Sequence, residues 1–355
     1  LRLSAADKIK LLIVADSSYL RLAVRRVVAD DPGIKVVGEA ARGREAVFLA
    51  GELSPDVVVM DAELPGGSGP EATREIVLRT PCTVVMLSAP TEGGACATLR
   101  ALELGAVDFV SKEPSSAGLD RELLDKIRFW HARRPVSPAG GGDASAVSRV
   151  GRPQSLRSEG MLELVVLGAG EGGSALLPDM LRRLGPLPCP LVMALRLPKL
   201  FTAELARRLA SAAGFKVVEG TDGLRLAGGL AVVLPGGSDG TVRLEGGSLQ
   251  LSVRSAPGVP GHLSVDALFL SAASLSRRTA AVVLTGTGRD GTLGALALRR
   301  CGAPVLVQDV AGCLAEGMPA AVIEARAGTE AGSPEKIAAR LRAWSQPQPD
   351  ERRQK

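Results

Sequence analysis

Aromatic residues are scarce in this chain: two tryptophans, one tyrosine and six phenylalanines make up 3% of its 355 residues. A net charge of +5 would by itself favour nucleic acid. That reading is set aside, because the arginine excess lies partly in residues 135–160 and in the terminal "DERRQK", and no nucleic-acid-binding motif stands out. Long apolar runs are missing too. Runs such as "VVVM" at 57–60 and "AVVL" at 281–284 have strand length, and none approaches the roughly 18 residues of a membrane span, so no membrane insertion is expected. The opening "LRLSAADKIKLLIVAD" has no signal-peptide pattern, since its apolar stretch is short and runs into Asp16; a cytoplasmic location is the expectation. Five cysteines (Cys82, Cys96, Cys189, Cys301, Cys313) form no CxxC or Cys/His spacing, which argues against a disulfide framework or a zinc site. Only two histidines are present, His131 and His262, so any histidine-based chemistry must use one of them.

What the chain does have is alternation. Short apolar runs near 11–14, 35–37, 57–60, 84–87 and 107–110 alternate with helical patterns such as "SSYLRLAVRRVVADD", the βαβ signature of a parallel sheet with five strands. Residues 135–160, rich in Pro, Gly, Ser and Arg, read as a flexible connector. Beyond it "ELVVLGAG", "CPLVMAL", "LAVVLPGG", "AAVVLTGTG" and "APVLVQD" are buried-strand candidates, and "TVRLEGGSLQLSV" reads as a hairpin about a Gly-Gly turn. The expected fold class is α/β, with two doubly wound domains in sequence. The expected boundaries are a first domain at 1–132, a linker at 133–160, a second domain at 161–345 and a polar tail at 346–355.

Open α/β sheets carry their sites at the carboxyl ends of strands. In the first domain that rule selects Asp16 and Ser17, then Asp61, Ser88 and Lys112. In the second it selects the turn in "LVVLGAGEGGSALLPDML", residues 164–181, whose apex offers Gly170 and Glu171 but no hydroxyl, thiol or lysine before Ser174. A turn of this shape commonly bears a nucleophile or binds phosphate. Pro178, inside the helix that should follow, is expected to delay or kink it.

The order and spacing of "VVVMDAELPGGSG" and "ALELGAVDFVSKEPS" resemble a response-regulator receiver domain, a flavodoxin-like fold, over about residues 8–130. The resemblance implies that Asp61 is the phosphoacceptor, that Ser88 and Lys112 support it, and that Asp16 and Asp61 ligate Mg²⁺. Receivers usually have two acidic residues after the first strand; Ala15 replaces one that acts through water, so Mg²⁺ is expected to bind about 10 to 100-fold more weakly.

The turn at 164–181, together with "LPKLFTAELARRL", "SVDALFLSAA", "VVLTGTGRDGTLGALAL" and "EGMPAA", resembles the chemotaxis protein-glutamate methylesterase/glutamine deamidase family (CheB-type). Active members use a Ser-His-Asp triad on methylated chemoreceptor glutamates. By that resemblance Gly170 stands at the nucleophile position, Arg196 at the base position, and Asp290 is the retained triad acid. Glycine has nothing to acylate and arginine does not exchange a proton near neutrality. The implied protein is a divergent, catalytically inactive response regulator acting by phosphorylation-controlled binding. Its implied partners are a chemotaxis-type histidine kinase and a chemoreceptor or other adaptation protein, and the family's regulation implies a receiver that covers the second domain until phosphorylated.

The rival is an active methylesterase or deamidase with a non-standard site. It would use Glu171 as general base with a pKa raised by burial, or Ser174 as nucleophile, with His262 as a possible approach from its loop. The plainer roles are a Glu171 carboxylate satisfied by helix N-terminal amides, a Ser174 that caps the helix or faces solvent, and an exposed His262. Arg196 and Asp290 are expected to form a salt bridge that keeps the framework without catalysis.

Overall fold

Val57–Asp61 is buried along its whole length on both faces, as a central parallel strand covered by helices must be. A computed structural model describes residues 8–112, 116–133, 161–255, 263–275 and 278–346. The chain divides into two compact units, Leu1–Gly142 and Asp143–Lys355.

The first unit contains strands β1 (Ile9–Val14), β2 (Ile34–Ala40), β3 (Val57–Asp61), β4 (Thr83–Ser88) and β5 (Asp108–Ser111), with helices α1 (Ser18–Ala29) to α5 (Ser116–Ala132) between and after them. All pairings are parallel, in the order β2-β1-β3-β4-β5, so the switch in winding direction falls between β1 and β3. Helix starts follow local chemistry. Thr91 caps α4 (Glu92–Glu103) by accepting the Gly94 N–H at 2.9 Å. Ser17, one of the strand-end residues, caps α1, with 3.4 Å from the Leu20 nitrogen to its hydroxyl. Helix α5 is tied to β5 by the buried Asp108 carboxylate, which accepts from Trp130 Nε1 at 2.9 Å and Lys126 Nζ at 3.0 Å. Burial alone would lower the Lys126 pKa, but the Asp108 and Glu122 carboxylates outweigh it and raise it. This clamp fixes the strand that precedes Lys112.

The second unit is built on seven parallel strands in the order β14-β13-β12-β6-β7-β9-β8. Its strands are β6 (Leu164–Ala169), β7 (Leu191–Leu195), β8 (Lys216–Glu219), β9 (Leu230–Val233), β12 (Thr279–Val283), β13 (Val305–Gln308) and β14 (Glu330–Gly332). Strands β10 (Ser238–Glu245) and β11 (Ser248–Ser255) form the expected antiparallel hairpin, and Gly246 and Gly247 at its turn both have positive φ, as a tight hairpin of this hand requires. The chain enters at β6, winds out through β7, and returns to β12 on the other side. The switch point is therefore the β6/β12 boundary.

Two strands were not anticipated, β8 and β14. Both are edge strands of three or four residues with mixed exposure, too short to carry an apolar period. Helix α6 (Gly173–Leu184) starts immediately after the turn and runs through Pro178. The expected late start is not adopted; the proline removes one amide from the helix ladder without ending it. Among the described residues no helix is long and apolar enough to cross a membrane.

Candidate functional site

In the first unit the strand ends converge because the strands are in parallel register. Val14 pairs with Met60, Asp61 with Leu87, and Ser88 with Ser111, so Asp16, Asp61, Ser88 and Lys112 all emerge at one edge of the sheet. Asp61 is buried at 3% exposure, and its Oδ1 accepts from Lys112 Nζ at 2.5 Å and from the Glu63 amide at 2.9 Å. Ser88 does not bond to Asp61; its hydroxyl accepts from the buried Thr98 hydroxyl at 2.9 Å. Asp16 is exposed and Ala15 fully buried. Arg21, a residue of α1 that the strand-end rule does not select, donates from Nη1 to the carbonyls of Ala15 at 2.7 Å and Asp16 at 3.1 Å, and from Nε to Glu39 at 3.3 Å. Among the described residues no group of three or more His, Cys, Asp and Glu gathers for a metal.

In the second unit Ala169 pairs with Leu195 and Gly168 with Val283, which sets the turn after β6 beside Arg196 on one side and residues 285–287 on the other. The Gly170 N–H donates to the Thr285 carbonyl at 2.8 Å, and the Gly286 N–H to the Ala315 carbonyl at 2.8 Å. The two glycine backbones lie so close that a Cβ on Gly170 would stand 2.8 Å from the Gly286 Cα. Gly172, with φ of +83°, caps α6 in a left-handed conformation that a side chain would strain.

Arg196 and Glu171 meet across this turn. Arg196 Nη2 lies 3.3 Å from both Glu171 carboxylate oxygens, 2.9 Å from Thr287 Oγ1 and 3.0 Å from the Thr287 carbonyl. The Thr287 N–H donates to Glu171 Oε2 at 2.7 Å. Burial would raise the Glu171 pKa, but the Arg196 guanidinium and the Thr287 amide outweigh it and hold the carboxyl below its ordinary value.

Several expectations are corrected by this geometry. Arg196 takes Glu171 as its ionic partner, not Asp290. Asp290 instead accepts the amides of Val265 at 2.8 Å and Asp266 at 3.0 Å, at the first turn of helix α8 (Val265–Ser274). The reciprocal bond comes from Asp266, whose Oδ1 accepts the Gly294 amide at 2.7 Å near the start of helix α9 (Thr292–Arg300). The two acids thus cap each other's helices, a demand of the α8/α9 crossing that holds Asp290 in place without any triad. Glu171 is satisfied by Arg196 and by an amide of the β12 turn, not by helix N-terminal amides, and its pKa moves opposite to that of a poised base. Ser174 is neither cap nor solvent-facing: Gly172 holds the cap position and Ser174 is buried in the first turn of α6. His131 lies in the last turn of α5, in the other unit, and His262 falls outside the described residues. Thr287 and Asp266 were missed as site residues; a polar side chain one residue past a strand-end glycine was the available signal for Thr287.

A family model described as CheB methylesterase matches residues 165–341, and one described as response regulator receiver domain matches residues 11–124. A protein-glutamate methylesterase/protein-glutamine glutaminase 1 of Saccharophagus degradans is 35% identical over 343 residues, covering 89% of this chain and 94% of its own length. The protein of the same description from Caulobacter vibrioides is 37% identical over 323 residues, with 89% and 92% covered. The crystal structure of the Thermotoga maritima CheB methylesterase catalytic domain is 29% identical, with a TM-score of 0.47, covering 51% of this chain and 98% of that one. With such identity over most of its length, and with its receiver and methylesterase domains in that order, this chain belongs to the protein-glutamate methylesterase/protein-glutamine glutaminase family of chemotaxis response regulators (CheB-type).

Proposed function

We propose that this chain is a response regulator that accepts a phosphoryl group at Asp61 but does not hydrolyse receptor esters, and that acts through phosphorylation-controlled protein binding. The observation that carries the second half is the strand-end turn: glycine at its apex, and across it an arginine neutralised by Glu171. Gly170 supplies no nucleophilic atom. Arg196 stays protonated and Glu171 stays ionised, so neither shuttles a proton to a leaving alcohol near neutral pH.

The receiver half rests on Asp61. Among the described residues both hydrogen bonds of its carboxylate end on Oδ1, which leaves Oδ2 as the oxygen to attack phosphorus. Attack by a carboxylate needs no deprotonation of the nucleophile; the new P–O bond forms as the donor's scissile bond breaks, P–N in a phosphohistidine or P–O in an acyl phosphate, and the electron pair leaves on the imidazole nitrogen or the carboxylate oxygen. Lys112 stands where negative charge gathers on the phosphoryl oxygens, and the Ser88 hydroxyl lies at the neighbouring strand end. Mg²⁺ usually takes one or two carboxylates and fills its octahedron with water and phosphate oxygens. Asp16 and Asp61, from paired strands, supply that minimum, whereas Ala15 supplies no oxygen. When bound there, Mg²⁺ neutralises phosphoryl charge; its affinity is reduced by about 10 to 100-fold through the missing acid. The phosphodonor is a chemotaxis-type histidine kinase, and the second domain engages a chemoreceptor or another adaptation protein.

The test is methanol release from methylated receptor by the full chain at high protein concentration, beside mass spectrometry of the chain after a small phosphodonor and Mg²⁺. The expected outcome is no methanol and an adduct at Asp61. Turnover that disappears in Glu171→Gln or Ser174→Ala would establish the active alternative instead.

A further inference from the structure

The Glu171 carboxylate occupies a particular place. It takes the Thr287 amide at 2.7 Å, and the Arg196 guanidinium, itself bonded to Thr287, closes on its two oxygens. A backbone N–H and a cation directed at one point are what an acyl-transfer site uses to hold a negatively charged oxygen. Here that oxygen belongs to the protein. The pair is only partly buried, with 24% of the Glu171 side chain and 32% of the Arg196 side chain exposed, so the site lies within reach of solvent, with the Glu171 carboxylate seated on the Thr287 amide. Beneath them the route is closed by the Gly170 and Gly286 backbones. A partner's carbonyl or carboxylate must therefore displace a tethered carboxylate, whose effective concentration is about millimolar or above.

We infer that Glu171 is a built-in occupant of the strand-end anion pocket, a third element of the altered site beside Gly170 and Arg196. It keeps any external carbonyl or carboxylate from the Thr287 amide. This rests on the proposed loss of hydrolysis and adds a cause for it that back-substitution of the nucleophile and base would leave in place. The pocket opens to small carboxylates when Glu171 is shortened.

The experiment uses the full chain with acetate as the probe, against chloride at equal ionic strength, and follows the Thr287 amide resonance and the melting temperature. Glu171→Ala is expected to show a saturable acetate shift and an acetate-dependent rise in melting temperature. The unaltered chain and Glu171→Gln, which keeps a side-chain oxygen on the amide, are expected to show neither, and Glu171→Ala/Arg196→Ala to bind at least tenfold more weakly. No acetate response in folded Glu171→Ala, or an equal response in the unaltered chain, overturns the inference.

A second arm reads the same pocket by covalent labelling, with Glu171→Ser in place of Glu171→Ala in both arms should the alanine variant fail to fold. Gly170→Ser/Arg196→His is compared with the same chain also carrying Glu171→Ala, using a serine-directed phosphonate as a stoichiometric label. At least tenfold faster labelling of the triple variant is expected; equal labelling overturns it. Methanol release by the unaltered chain would instead refute the loss of hydrolysis, and the acetate arm still reads the occupant separately.

Discussion

Two strand-end clusters in this molecule are built from the same plan and hold opposite chemistry. In the first unit Asp61 meets a cation, Lys112, yet among the described residues both of its hydrogen bonds fall on one oxygen, so the second oxygen is left over. In the second unit the cation Arg196 meets Glu171, whose two oxygens are both engaged, and the apex residue between them has no side chain. Parallel sheets place polar groups at their carboxyl ends regardless of purpose. What separates a reactive cluster from a closed one is whether a nucleophilic atom is left over once the charges have paired.

That contrast is sharpest at Asp61. Replacing Asp61 with Asn should abolish phosphoryl incorporation in a phosphodonor and mass-spectrometry assay; a persisting adduct at another residue would erase the distinction between the units. Lys112→Ala should slow labelling by about 100-fold, the effect of removing one charge-stabilising donor, when followed as a time course of adduct formation. An acid restored at Ala15→Asp should tighten Mg²⁺ by about 10-fold or more, measured by metal titration of the receiver in the full chain.

The closed cluster should respond in stability rather than in chemistry. Asp290→Ala removes the acceptor of two α8 amides and should cost about 1 to 2 kcal/mol in denaturant unfolding, with no change in methanol release. A catalytic effect there would mean that Asp290 still serves a working site. The smallest effect is the pH dependence. Because the folded-state pKa of Glu171 is depressed, its contribution to stability is complete above the ordinary glutamate value of 4.5 and is lost as pH falls below it. Glu171→Gln should flatten that acid limb of the stability curve. Unchanged acid sensitivity in the variant would show that the pairing with Arg196 contributes nothing.

Much of this was legible in the sequence. Strand runs such as 57–60 and 84–87 announced themselves because strands buried on both faces must be continuously apolar, and the hairpin at Gly246-Gly247 because its turn needs positive φ. The edge strands β8 and β14 were not legible, since an edge three or four residues long need not be apolar. Asp61, Ser88 and Lys112 could be picked out as strand-end residues, whereas Arg21 and Thr98, which hold the surroundings of that site, lie within helices whose sequence pattern gives no such hint.

By itself the sequence determined the α/β class, the family, the residue at each strand end, and the absence of a nucleophile at Gly170. Only the tertiary structure decided which charges meet. Arg196 and Glu171 lie 25 residues apart, and Glu171 and Thr287 lie 116 apart, brought together by the winding of β6, β7 and β12 about the switch point. Asp290 was drawn away by the unpaired first-turn amides of α8, which come within its reach only once α8 and α9 cross. Hydrogen bonds and ion pairs act over a few ångströms, so their partners follow from the folded path of the chain and not from spacing along it.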